Sequence, residues 1–153
     1  MAIDPLSPTE SLFWSLRLKG LRLAEIGRRA NVTRQAVYKA LLKADRVMAE
    51  ALRDVAGTYR IDLEKIDPKR GMAVGYSHAL GSRVVLAYAP GRGILTWYEY
   101  KGQCRACARR EECKAIVLEE AERLGVSIQG DLQTEPAELA EEILRKAWPE
   151  AFQ

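Results

Sequence analysis

The stretch that most constrains this chain is "LAEIGRRANVTRQAVYKAL", residues 23–41. Leu23, Ile26 and Ala30 recur at helical spacing, and so do Val37 and Leu41. Between the two patterns stands Asn31, a residue that tolerates the left-handed backbone of a sharp turn. Thr33 follows, and its hydroxyl can cap a new helix. Gly27 supplies a small residue where the two helices must cross closely, and Val32 is expected to plug the corner between them.

These parts are the requirements of a helix-turn-helix. Upstream, "SPTESLFWSLRLKG" predicts a first helix, with Pro8 or Thr9 and Glu10 in its first turn and Gly20 as its stop. Leu12, Leu16 and either Trp14 or Phe13 form its apolar stripe. Downstream no Gly or Pro intervenes until Gly57. Val37, Leu41, Ala44, Met48, Ala51 and Val55 fall at heptad spacing, so the third helix is expected to run from about Thr33 to Val55. Such a stripe needs cover, from a second copy of the chain or from its own later elements.

Charge agrees with a polyanion partner. Over residues 17–46 nine basic side chains face two acidic ones, although the whole chain is only +3. Residues 116–153 are acidic, with nine acidic against three basic side chains. The segment of residues 8–45 resembles helix-turn-helix transcription regulators, in particular the region-4-like domain of sigma factors. The resemblance rests on Glu25-Ile26-Gly27, Val32-Thr33-Arg34 and Ala40-Leu41. It implies that the second helix of the motif enters the DNA major groove. By position, Thr33, Arg34, Gln35, Tyr38 and Lys39 would then face DNA. Arg28 and Arg29 would reach backbone phosphates, and Arg22 and Lys43 extend the patch. The chemistry suits those roles, since Arg pairs with guanine, Gln with adenine, and Lys, Tyr and Thr with phosphates. Double-stranded DNA is the expected partner, and a homodimer would match a palindromic operator.

The rest divides into a linker over 57–71, containing "YRIDLEKIDPKRG", and an α/β regulatory or dimerisation module over 72–153. Period-two alternation predicts three antiparallel strands at about 72–80, 83–88 and 94–100, with "APGRG" as a turn. In this pattern His78 shares a face with Val74, Tyr76 and Leu80. Tyr76, Tyr88, Trp97, Tyr98 and Tyr100 read either as sheet core and interface or as the lining of a small-effector pocket. Two helices close the chain. The first has Ala115, Val117 or Leu118, Ala121 and Leu124 inward and Gly125 as its stop. The last is capped by Thr134, has Leu139, Ile143 and Trp148 inward, and stops at Pro149. The expected fold class is α+β: an N-terminal tri-helical unit of residues 1–56 with a long third helix, a small three-stranded antiparallel sheet and two C-terminal helices.

All three cysteines, Cys104, Cys107 and Cys113, fall within ten residues. The spacing C-x2-C-x5-C resembles the three-cysteine stretch of 4Fe–4S proteins such as the helix-hairpin-helix DNA glycosylases and the WhiB-type regulators. The resemblance implies an iron–sulfur cluster. Structural zinc, a disulfide with one free thiol and inert thiols stay open as alternatives. The fourth cysteine of those families is missing, and His78 is one candidate for the fourth ligand. No apolar run approaches the length of a membrane span, and the first residues lack a signal-peptide pattern, so a cytoplasmic location is expected. The few Asn, Gln and Cys and the many Arg and Glu fit a thermophilic source.

The expectation is a dimeric, sequence-specific transcription regulator responsive to redox state or metal through its cysteines, and not an enzyme. An interaction module that recruits the transcription machinery is the alternative. A DNA-processing enzyme is a further one, weakened because Asp62, Glu64 and Asp67 lie in the linker and the sole histidine has no evident Ser or Cys partner.

Overall fold

The structure, a computed structural model, describes residues 4–99, 103–129 and 134–152. It is α+β, and it divides into two compact units, Met1–Thr96 and Trp97–Gln153. The first unit begins with three helices: α1 Pro8–Leu18, α2 Leu23–Ala30 and α3 Arg34–Thr58. A sheet follows, with strands β1 Ile61–Asp67, β2 Met72–Ser77, β3 Ser82–Ala89 and β4 Gly93–Tyr98 in the order β1-β2-β3-β4. The pairings of β1 with β2 and of β2 with β3 are antiparallel.

The sheet has four strands rather than three, because the segment read as a linker contains β1. Two physical features hide this strand. It lies at the edge of the sheet and carries Asp62, Glu64, Lys65 and Asp67, as exposed edges tend to. Its register also shifts between Leu63 and Lys65, a bulge that breaks the two-residue alternation after Ile61 and Leu63.

Each helix is set by local chemistry. Ser7 and Glu10 form a reciprocal capping box at the start of α1, with Pro8 inside the first turn. Phe13 and Trp14 are buried, whereas Leu12, expected inward, is exposed. α3 continues through Gly57 to Thr58 and ends in a turn where Arg60 takes a left-handed backbone. Its buried stripe is Val37, Leu41, Ala44, Met48, Leu52 and Ala56. After Met48 the stripe moves one residue on from the heptad positions Ala51 and Val55. The helix packs on α1 and α2 and also on β1, so its inner face is covered by its own chain.

Trp14 and Tyr88, both fully buried, meet edge to face with ring centroids 5.1 Å apart and join α1 to the sheet. Trp14 Nε1 donates to the Pro68 carbonyl at 3.3 Å. Gly71 has a φ of +66°, and a Cβ there would lie 2.8 Å from the Trp14 ring and 2.9 Å from Tyr88 Cβ. The Tyr88 hydroxyl is 2.7 Å and 2.9 Å from the two Asp4 carboxylate oxygens and 3.0 Å from Ser11 Oγ. Asp4 also accepts the Gly91 N–H at 2.9 Å, so one carboxylate ties the N-terminal segment to the β3–β4 turn. Tyr88 is therefore core rather than pocket lining. Tyr100 lies outside the described residues.

The second unit contains a 3-10 turn at Cys104–Ala106, α4 Arg110–Leu124, α5 Pro136–Ala147 and a final 3-10 turn at Pro149–Phe152. Val117, Ala121, Leu139, Ala140 and Ile143 form its core, with Trp97, Leu124, Val126 and Ile128 packed against them. Gly125 takes the left-handed backbone that ends α4. Ala115 and Leu118 are exposed, and the N-cap of α5 is Glu135 rather than Thr134. No described helix is long and apolar enough to cross a membrane.

Replacing Tyr88 with Phe removes the hydroxyl that Asp4 and Ser11 share while keeping the ring. Urea unfolding of the full chain should show a loss of about 1–2 kcal/mol with an unchanged m-value.

Candidate nucleic-acid interface

The α2–α3 junction turns on an absent atom. A Cβ on Gly27 would lie 2.8 Å from the Val32 carbonyl oxygen and 3.4 Å from the Thr33 carbonyl carbon. Both are backbone atoms that cannot swing aside, so only glycine lets α2 close on the turn. Asn31 adopts φ 56° and ψ 44°, and the Val32 N–H donates to the Gly27 carbonyl at 2.9 Å. Thr33 Oγ1 accepts the Ala36 N–H at 3.0 Å and caps α3. Val32, expected to plug the corner, is exposed, because its carbonyl rather than its side chain meets Gly27.

Ile26, Val37 and Leu41 are buried and fix the outward face of α3. Thr33, Arg34, Gln35, Tyr38, Lys39 and Lys43 are all exposed, as are Arg28 and Arg29 at the end of α2 and Arg22 before it. The unit thus places every residue carried over from the resemblance at its surface. Two refinements follow from the contacts. Arg17 lends little to the basic face, since Asp45 holds its guanidinium with two bonds of 3.0 Å and 2.5 Å. Lys43 stays exposed but lies 3.7 Å from Glu10. Burial pushes the Glu10 carboxyl up, but hydrogen bonds from the Ser7 N–H and hydroxyl, together with attraction by Lys43, outweigh it and hold the group below its usual value.

Leu42 and Arg46 on the next turn of α3 are also exposed and were not singled out from the sequence. Their signal is spacing, since Leu42 follows Tyr38 by four and Arg46 follows Lys43 by three. Tyr38 and Leu42, each 53% exposed, set an apolar pair among the cations.

His78 does not share a core face. β2 stops at Ser77, and His78 lies in the exposed turn beyond it. Its Nε2 is 2.6 Å from Asp62 Oδ2, and its ring stands edge to face on Tyr76 at 5.0 Å. Of the other β1 carboxylates, Glu64 lies 3.6 Å from Arg83 and Asp67 lies 3.5 Å from Arg70.

In the second unit Cys104 and Cys113 are half-buried, Cys107 is exposed, and none is in a disulfide. Two turns in tandem organise the stretch: the Cys107 N–H donates to the Cys104 carbonyl at 3.1 Å, and the Arg110 N–H to the Cys107 carbonyl at 3.2 Å. The basic neighbours are themselves paired. Arg110 holds Glu135 through two bonds of 3.1 Å and 3.3 Å, and Arg109 holds Glu112 in the same manner. The hydrogen bonds from Arg110 keep Glu135 below the usual carboxylate range, and Glu135 in turn raises Arg110. Iron–sulfur and zinc centres need thiolates that converge on one point. Among the described residues no three His, Cys, Asp or Glu side chains are grouped so as to hold a metal ion.

No protein-family model, curated protein or solved structure matches this chain.

Gly27→Ala should cost about 1–3 kcal/mol, the range for forcing atoms into a filled site, and Thr33→Ala about 1 kcal/mol through the lost cap. Denaturant midpoints measure both. Glu10 should also leave a pH signature. With its folded value depressed, its contribution is complete above the ordinary carboxylate value of 4.5 and fades as pH falls through the lower folded value. Glu10→Gln should flatten that part of the acid stability profile.

Proposed function

We propose that this chain is a sequence-specific transcription regulator that binds double-stranded DNA through the first half of α3. The observation that supports this reading most is the Gly27–Asn31–Thr33 turn. It holds α2 against α3 and leaves Arg34, Gln35, Tyr38 and Lys39 outward on a rigid helix, with Arg28 and Arg29 beside them. In this reading Arg34 and Gln35 contact base edges in the major groove, and Arg28, Arg29, Thr33, Lys39 and Lys43 contact phosphates. Lys43 exchanges its Glu10 contact for a phosphate. The regulator acts in the cytoplasm and is not an enzyme.

We further propose that it binds as a homodimer, since one unit neutralises few phosphates and doubling it raises affinity. The pairing surface is not the α3 stripe, which α1, α2 and β1 already cover.

A second reading, an interaction module that recruits the transcription machinery, draws on Tyr38 and Leu42, because two exposed apolar side chains on one helix face suit a protein groove.

Selection of bound sequences from a random duplex pool, followed by titration of the winner, tests the first reading. Arg34→Ala and Gln35→Ala should each cost about 1–3 kcal/mol on the selected site and relax preference at one position. Lys39→Ala should weaken all duplexes alike and lower the salt slope by about one. Failure to enrich any sequence, with binding only at very low salt, would favour the interaction module.

A further inference from the structure

The cysteine stretch has features that DNA binding leaves unused. The Cys107 N–H to Cys104 carbonyl bond closes a turn across Cys104-Arg105-Ala106-Cys107. Such a turn brings its end Cα atoms to within about 7 Å, next to the range of about 4.4–6.8 Å that a disulfide spans. Both thiols can be reached. Cys107 is exposed, and half-buried Cys104 lines an open surface depression with Gln103, Arg105, Ala106 and Glu135. The backbone of this turn is anchored, because Arg110, just past it, holds Glu135 at the start of α5 in a two-bond grip. Arg105 lies 3.9 Å from the same carboxylate. Arg109 adds positive charge within electrostatic reach of Cys107 and Cys113. Cys113 belongs to α4, one helical turn past Arg109, and is not part of the Cys104–Cys107 turn. The same thiols are not grouped to hold a metal ion.

We propose that Cys104 and Cys107 form a reversible dithiol–disulfide pair that exchanges with small-molecule disulfides of the glutathione class. The exposed Cys107 thiolate attacks one sulfur of the incoming disulfide, forming a mixed disulfide and expelling one small thiolate. The Cys104 thiolate then attacks Cys107 Sγ, closing the intramolecular bond and expelling the second small thiol. Two electrons pass from the protein pair to the small disulfide, and the two thiol protons end on the two small thiols. Cys113 remains a thiol throughout. The depression beside Cys104 gives the incoming molecule room.

The test uses the full chain, equilibrated without oxygen in buffers of reduced and oxidised glutathione at set ratios. Acid quench and alkylation follow, then intact mass and peptide mapping. The expected result is loss of two alkylatable thiols in one cooperative step, a peptide crosslinked between Cys104 and Cys107, and full reversal by excess reduced glutathione. Cys113→Ser should behave as the parent, and Cys104→Ser should stop at a stable glutathione adduct on Cys107. Circular dichroism confirms that the variants are folded. Three alkylatable thiols at every ratio would overturn the proposal. So would a disulfide that includes Cys113, or thiols protected by a stoichiometric metal found by elemental analysis. None of these outcomes depends on whether the chain binds DNA.

Discussion

One helix, α3, packs on α1, α2 and β1 alike. Val37, Leu41, Ala44, Met48, Leu52 and Ala56 form a continuous buried stripe along it. A strict heptad stripe would have stayed in line for a partner helix, whereas a straight helix drifts away from it. The one-residue shift after Met48 is that drift put to use, as the helix also packs on β1. The helical unit and the sheet consequently share one compact unit instead of hanging on a linker.

Burial of the inner stripe decides what the outer face can do. With Val37 and Leu41 inside, Arg34, Gln35, Tyr38 and Lys39 have no inward alternative. The Gly27 contact then fixes the angle between α2 and α3, since any Cβ would push against the Val32 carbonyl. The proposed reading of DNA by α3 would draw on that rigidity, because hydrogen bonds to base edges tolerate little misplacement. The Trp14–Tyr88 contact and the Asp4 carboxylate in turn tie α1 and the N-terminal segment to the sheet.

The turn, its cap and the outward face were legible in residue types, because Gly27, Asn31 and Thr33 each answer a local steric or hydrogen-bonding demand. β1 was not, since a bulge and an edge position remove the alternation by which strands are recognised. His78 was misplaced by extending a period-two pattern past Ser77, where the pairing with β3 ends and the turn begins. Helical spacing points Leu12 inward and the motif pattern points Val32 into the corner, yet both are exposed, as apolar side chains often are when no neighbour covers them. The cysteine spacing left a cluster, a zinc ion, a disulfide or inert thiols open, because the same spacing is compatible with each.

By itself the sequence determined the local geometry of the first sixty residues: where helices start, where the chain turns sharply and which side chains are cationic. Those properties depend on neighbours within about one helical turn. Only the tertiary structure decided what covers α3, that a fourth strand exists, and that Arg17 is held by Asp45 while Arg34 stays exposed. Each of these depends on residues far apart in the chain meeting in space, and no periodicity records such meetings.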